Sequence, residues 1–138
     1  MNKRKKYIQH STSYSRPIGV PVYRESLPII HIQSTLNNTI LTLTESTGST
    51  LYWASSGSAG FKNSRKSTSY AAQAAAEKVA QFCQSKKIKK IHVKLKGLGY
   101  GKDACLKGLQ LNGILIHKIE DVSTIPHNGC RLPKKRRM

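Results

Sequence analysis

The residues of this chain that could break a covalent bond are few and badly placed for it. Its acids are Glu25, Glu45, Glu77, Asp103, Glu120 and Asp121, and two-metal phosphodiester cleavage needs carboxylates gathered on one surface. Only Glu120 and Asp121 adjoin. Neighbours on a strand point to opposite faces, so this pair forms no metal site. Cys83, Cys105 and Cys130 are odd in number, with no C-x-x-C pair and no histidine at zinc spacing; they read as free thiols of a reducing compartment. His127 stands near Cys130, yet a Cys-His nucleophile needs a third group to orient the base, and none is evident. The run Gly97-Leu98-Gly99-Tyr100-Gly101-Lys102 suggests a phosphate loop. Only three residues separate Gly97 from Gly101, however, and Asp103 follows Lys102, so the segment meets neither nucleotide-binding pattern. No enzyme, no cofactor and no metal are expected.

The chemistry that remains is anion binding. Against 6 acids stand 24 Lys and Arg, a formal net charge of +18 over 138 residues, which calls for a polyanionic partner. Nucleic acid is the first reading. A membrane surface would need a basic amphipathic helix with large apolar residues, and neither helix read below has one. The charge is densest at the C-terminal end, where Lys134, Lys135, Arg136 and Arg137 follow Pro133. Pro126 and Pro133 rule out a helix or central strand there, and Asn128-Gly129 suits a tight turn. The N-terminal 27 residues are basic and serine-rich, with Pro17 and Pro21 against an amphipathic targeting helix; they read as an arm. The expected organisation is an arm over 1–27, one α/β domain over 28–124 and a basic RNA-binding tail over 125–138.

The elements that must position these charges follow from periodicity. Ile29 to Gln33 reads as a first strand, Leu36-Asn37-Asn38-Thr39 as a hairpin turn, Thr39 to Glu45 as a second strand, and Thr50 to Ser55 as a third. Trp53 and Phe61 are expected in the core rather than as stacking platforms. Ser56 to Lys66 is a loop of small and basic residues. Ser67 or Thr68 caps a helix running to about Gln84, with Ala71, Ala75, Val79, Phe82 and Cys83 on one face. Lys86, Lys87, Lys89 and Lys90 precede a strand over Ile91 to Lys96, with Ile91, Val93 and Leu95 inward and His92, Lys94 and Lys96 outward. A glycine loop leads into a second helix over Asp103 to Leu111, and a last strand runs from Ile114 to about Val122.

Crossovers through a helix join parallel strands. Strands three, four and five therefore run together, strand two opposes them, and strand one rejoins them. Four connections then leave one end of the sheet, where ligand loops collect in open α/β folds. The candidate RNA-binding residues lie on these four: Asn37 and Asn38; Gly57, Gly60, Lys62, Ser64, Arg65, Lys66 and Ser67; Lys96, Gly97, Gly99, Gly101 and Lys102; and His127, Asn128, Gly129, Arg131, Lys134, Lys135, Arg136 and Arg137. Glycines would let the backbone approach a phosphate, and the two longer loops each enter a helix N-terminus that favours an anion. The asparagines and His127 could bond 2′-hydroxyls or splayed bases, and Tyr100 or His127 could stack.

With these residues in view, the chain resembles the universal small-subunit ribosomal protein S-eleven family in its bacterial and organellar form. The matching motifs are Leu36-Asn37-Asn38-Thr39-Ile40, Gly60-Phe61-Lys62, Arg65-Lys66-Ser67-Thr68, Ala71-Ala72-Gln73, Ala75-Ala76-Glu77, Lys96-Gly97, Asp121-Val122, and Ile125-Pro126-His127-Asn128-Gly129-Cys130-Arg131 with Pro133-Lys134-Lys135-Arg136-Arg137. The resemblance spans about Ile30 to Met138. It implies a ribonuclease-H-like α/β fold with a five-stranded mixed sheet in the order 3-2-1-4-5 and two helices. It also implies a structural role on the platform of the small ribosomal subunit, bound to its rRNA near the mRNA exit side, beside proteins such as S-seven, S-eighteen and S-twenty-one, with no membrane and no homo-oligomer. Leu98 and Tyr100 stand where the family pattern has proline, Ser69-Tyr70 replaces Pro-Phe, and Leu132 replaces a proline. The composition reads as organellar, a mitochondrial matrix before a plastid stroma or bacterial cytoplasm. A metal-dependent nuclease and a free-standing RNA-binding regulator are the competing functions.

Overall fold

The computed structural model describes residues 26–131. Residues 1–25 and 132–138, which include Lys134, Lys135, Arg136, Arg137 and most of the expected arm, lie outside the described residues. β1 (Ile29–Ser34), β2 (Thr39–Thr44) and β3 (Thr50–Ser55) form a meander. A 3-10 turn (Asn63–Ser67) and α1 (Ser69–Ser85) carry the chain to β4 (Lys90–Lys96), and α2 (Gly101–Leu111) carries it to β5 (Leu115–Asp121). The sheet order is β3-β2-β1-β4-β5. β4 lies parallel to both β1 and β5, while β2 is antiparallel to β1 and β3. The expected strand order and directions are those found.

The alternating strand sequences decide which face is covered. Ile30, Ile32, Leu41, Leu43, Ile91 and Val93 are fully buried and meet Ala72, Ala75, Ala76 and Val79 of α1 and Cys105 and Leu109 of α2. Both helices lie on this one face and pack on each other. Alanines at the contact let α1 sit close to the sheet while favouring helix. At the crossing, Gly108 faces Ala76 so tightly that a Cβ there would lie 3.1 Å from the Ala76 methyl and 3.2 Å from the Gln73 carbonyl.

The helix ends follow local rules. Thr68 caps α1, its hydroxyl accepting from the Ala71 N–H at 3.3 Å. The helix closes with Lys87 at φ 57° and the Ile88 N–H returning to the Cys83 carbonyl at 2.9 Å. At the end of α2, Gly113 takes φ 76° and the Ile114 N–H returns to Leu109, the left-handed stop that glycine allows.

Two aromatic expectations are corrected. Trp53 is 58% exposed, because Tyr52 and Ala54 take the two inward positions of β3 and alternation turns the indole to the uncovered face. Tyr52 instead stacks on the Phe82 ring, centroids 4.6 Å apart. Phe61 is half-buried and meets Tyr70 edge-on at 5.7 Å. The loop over Ser56 to Lys66 also holds more structure than expected, since its second half enters the 3-10 turn. α2 starts two residues earlier than periodicity suggested.

Replacing Gly108 by valine should force the helices apart. The gain of a few tenths of a kcal/mol in helix propensity is outweighed by overpacking of about 1–3 kcal/mol. A lower denaturation midpoint at unchanged slope is expected, with exposed Lys107→Ala within about 0.5 kcal/mol of the parent.

Candidate nucleic-acid interface

The polar end of the sheet is built on Ser34, the last residue of β1. Its carbonyl accepts from the Gly99 N–H at 3.0 Å, and its hydroxyl lies 3.2 Å from both the Gly101 N–H and the Thr39 hydroxyl. Ser34 and Thr39 are buried, so these bonds are made out of water, where an unmade one is costly. The glycines are required by this contact. Gly97 sits at φ 101°, and a Cβ there would overlap the Ser34 carbonyl; one at Gly99 would strike the Ser34 hydroxyl and the Thr35 carbonyl; one at Gly101 would strike the Thr39 hydroxyl. The close backbone approach expected toward a phosphate is thus made, at these three glycines, toward the chain itself. The Gly101 N–H at the start of α2 is likewise spent on Ser34. What the loop presents outward is Lys96, Leu98 and Tyr100, the last 82% exposed.

The β1–β2 turn is pinned beside it. The Thr35 N–H and hydroxyl both donate to the Asn38 carbonyl, at 2.9 and 3.0 Å, and the Asn38 N–H donates to the Thr35 hydroxyl. Asn37 is left exposed, whereas Asn38 is half-buried with its Oδ1 enclosed and without a partner among the described residues. From the other side the Ser56 N–H bonds the Thr39 carbonyl at 2.9 Å, which joins the loop after β3 to the same turn. That loop begins with reciprocal bonds between Ser55 and Ser58 and is held to α1 by the Lys78 ammonium on the Ser58 carbonyl at 2.7 Å. Gly57, Gly60, Lys62, Ser64, Arg65 and Ser67 are exposed along it, and Lys66 is half-buried. Gly60 to Arg65 rim a shallow depression. With its carbonyls tied down and its cations outward, this loop is an anion-facing surface.

The fourth connection is fixed where it leaves β5. The Val122 N–H bonds the Leu95 carbonyl at 2.8 Å, and the Ser123 hydroxyl accepts from the Gly97 N–H at 3.0 Å. A groove lined by Ser34, Thr35, Gly97, Leu98, Ser123 and Ile125 therefore separates the turn, the glycine loop and the root of the tail. Beyond it His127, Asn128, Gly129, Cys130 and Arg131 are all exposed, with Asn128 at φ 50°. Lys102 is half-buried and ion-paired with Asp121 at 3.4 Å, so part of its expected free charge is already answered. The buried Ser34 and Thr39 hydroxyls and the half-buried Ser123 hydroxyl were the positioning groups that pattern reading missed; small hydroxyl residues at strand ends are their only trace in the sequence.

The two adjacent acids of β5 are turned apart. Asp121 turns to Lys102 of α2, while Glu120 contacts Lys118 on the uncovered face, and among the described residues no three metal-ligating side chains cluster. Burial pushes the thiols of Cys83 and Cys105 up to about 11 and about 12, far from nucleophilic character.

Ser34→Ala would strip the Gly101 N–H and the Thr39 hydroxyl of a buried partner, for an expected loss of about 1–3 kcal/mol in a denaturation experiment. Hydrogen bonds from Ser123, then the Lys102 charge, hold the Asp121 carboxyl below its ordinary 3.8. Because the folded value is lowered, its contribution is complete above 3.8 and lost as the pH falls through the lower folded value. The Ser123 amide resonance should therefore titrate with a midpoint below 3.8, and Asp121→Asn should abolish the transition.

A profile of the family described as ribosomal protein S11 matches residues 28–137. The chain is 57% identical over 105 residues to the small ribosomal subunit protein uS11m of Marchantia polymorpha, covering 76% of this chain and 84% of that one. It is 54% identical to uS11m of Prototheca wickerhamii over 80% of this chain and 86% of the relative. Against uS11c of Chlorella vulgaris it is 52% identical over 81% and 86%. With the sheet order, the loop end and these matches in agreement, the chain belongs to the ribosomal protein S11 family.

Proposed function

We propose that this chain is a structural, non-catalytic constituent of the small ribosomal subunit that grips rRNA with the loop end of its sheet. The observation that carries the reading is the meeting of four connections at that end, two of them bearing the exposed cations Lys62, Arg65 and Lys96 and a third bearing Arg131. Phosphate contacts position such a protein, and His127, Asn128 and exposed Asn37 supply hydrogen bonds suited to 2′-hydroxyls and unpaired bases. The tail through Lys134, Lys135, Arg136 and Arg137 adds charge that any RNA backbone satisfies. The division into a 1–27 arm, a 28–124 domain and a 125–138 tail belongs to this proposal.

The finer placement is part of the same reading: the platform near the mRNA exit side, beside S-seven, S-eighteen and S-twenty-one. The organelle is proposed as the mitochondrion, on the basis of composition and of the relatives named uS11m, while uS11c relatives of nearly equal identity keep the plastid as the alternative.

Binding to small-subunit rRNA should weaken steeply with salt, with a log-log slope near −5 for about six phosphate contacts. Lys62→Ala with Arg65→Ala should reduce that slope by about two, and truncation after Leu132 should reduce it further. A salt-independent affinity, or a chain that fails to co-sediment with small subunits at low salt, would overturn the proposal.

A further inference from the structure

The helices cover one face of the sheet and leave the other open. Register places Trp53, Thr42, His31, Lys94 and Glu120 in a single row across all five strands. Trp53 and His31 are exposed, and Thr42, Lys94 and Glu120 are half-buried. Lys96 ends β4 on this same face, paired in register with Gln33. A one-residue shift in the β4–β5 pairing, between Ile91 and His92, turns His117 to the open face as well, where its ring stacks on His92 at 5.3 Å.

The charge on this face is one-sided. Of the two acids in the strands, Asp121 points to α2, and Glu120 is already in contact with Lys118. Lys94 and Lys96 form no ion pair among the described residues, and Glu120, across the register from Lys94, is the one carboxylate of the row. Burial and then the Lys94 charge lower the pKa of His31, which keeps that ring a neutral, stackable surface between the indole and the ammonium. The cores of protein–protein interfaces are depleted in lysine, so a protein laid over this row would have to desolvate ammonium groups that form no ion pair. An unpaired RNA strand meets the same row with phosphates and with bases. Aromatic and basic side chains on an open sheet are a recognised way of holding single-stranded RNA, one base on each ring.

We infer that the open sheet face is a second RNA-binding surface, on which an unpaired strand stacks a base on Trp53 and places a phosphate at Lys94. The two side chains stand three strand intervals apart, about 14 Å, a span of several nucleotides. Ile40 and Leu51, on the two strands that pair Thr42 with Trp53, are also exposed and offer apolar surface to a base. Lys96 belongs both to this face and to the loop end, so one RNA can pass around that corner. The inference rests on the RNA-binding reading above but on different residues.

Trp53 is the sole tryptophan, so its emission reports on this face alone. A short oligoadenylate should quench the full-length chain, and polyphosphate, which has charge and no bases, should leave the emission unchanged. Quenching should persist in the Lys62→Ala, Arg65→Ala variant, which separates this surface from the loop end. Trp53→Leu, its fold checked by circular dichroism, should weaken binding of a labelled oligoadenylate by about 5- to 100-fold. No quenching, equal quenching by polyphosphate, or quenching lost with the loop variant would each overturn the inference while leaving the salt dependence of the loop end to be judged separately. A benzophenone amino acid at position 53 of chains assembled into small subunits should crosslink to RNA; a crosslink to a protein would also overturn it.

Discussion

Everything at the binding end depends on the seat that the glycine loop takes over Ser34. The Ser34 carbonyl and hydroxyl satisfy two backbone N–H groups of the loop and one hydroxyl of the neighbouring strand, all shielded from water. Three glycines make this possible by leaving out side chains that would occupy the space of Ser34, Thr35 and Thr39. The contact fixes the β1–β2 turn, the entry to α2 and, through the Ser123 hydroxyl on Gly97, the root of the tail. Three separate connections are thereby held in one arrangement before any ligand arrives. Binding to a surface ordered in this way loses less entropy than ordering loops on contact.

The glycines therefore act one step back from the place where sequence reading put them. A glycine loop leading into a helix suggests backbone donors aimed at phosphate, but here the donors point inward and lysine, tyrosine and leucine side chains are displayed outward. The loop is a clamp that shapes the surface. The loop after β3 divides the work differently: serine bonds at its start tie down the backbone, and the 3-10 turn that follows spaces Lys62 and Arg65 along the outside.

How far the fold can be read from sequence varies with the kind of force involved. Strand alternation in Ile30-His31-Ile32 and Ile91-His92-Val93, the alanine face of α1 and the Asn112-Gly113 stop are local signals, and the elements follow them. The helical crossovers then imply strand direction without any contact being known. The sequence was less informative where a long-range partner decides. Trp53 is apolar, yet an edge strand with its inner positions taken by Tyr52 and Ala54 has no core left for it. Lys102 looks like free charge until β5 brings Asp121 to 3.4 Å. Ser34 looks like an ordinary strand-end serine until the loop of residues 97–101 closes over it.

The electrostatic balance ties these observations to the family assignment. The full chain carries a formal charge of +18, and the described residues form two ion pairs, so most of their cations are answered by no carboxylate of the described fold. Exposed like charges of this density repel one another, and a polyanion that binds the folded chain relieves the repulsion and stabilises the fold by mass action. Internal salt bridges would work against this, because each carboxylate added near an exposed cation weakens its attraction for a polyanion. The acids that remain support this view. Asp121 helps anchor the tail through Ser123, Glu77 accepts from the Gln73 amide within α1, and Glu120 answers Lys118 at the sheet edge. Each of these three acids helps hold an element in place, and Lys62, Arg65 and Lys96 form no ion pair among the described residues.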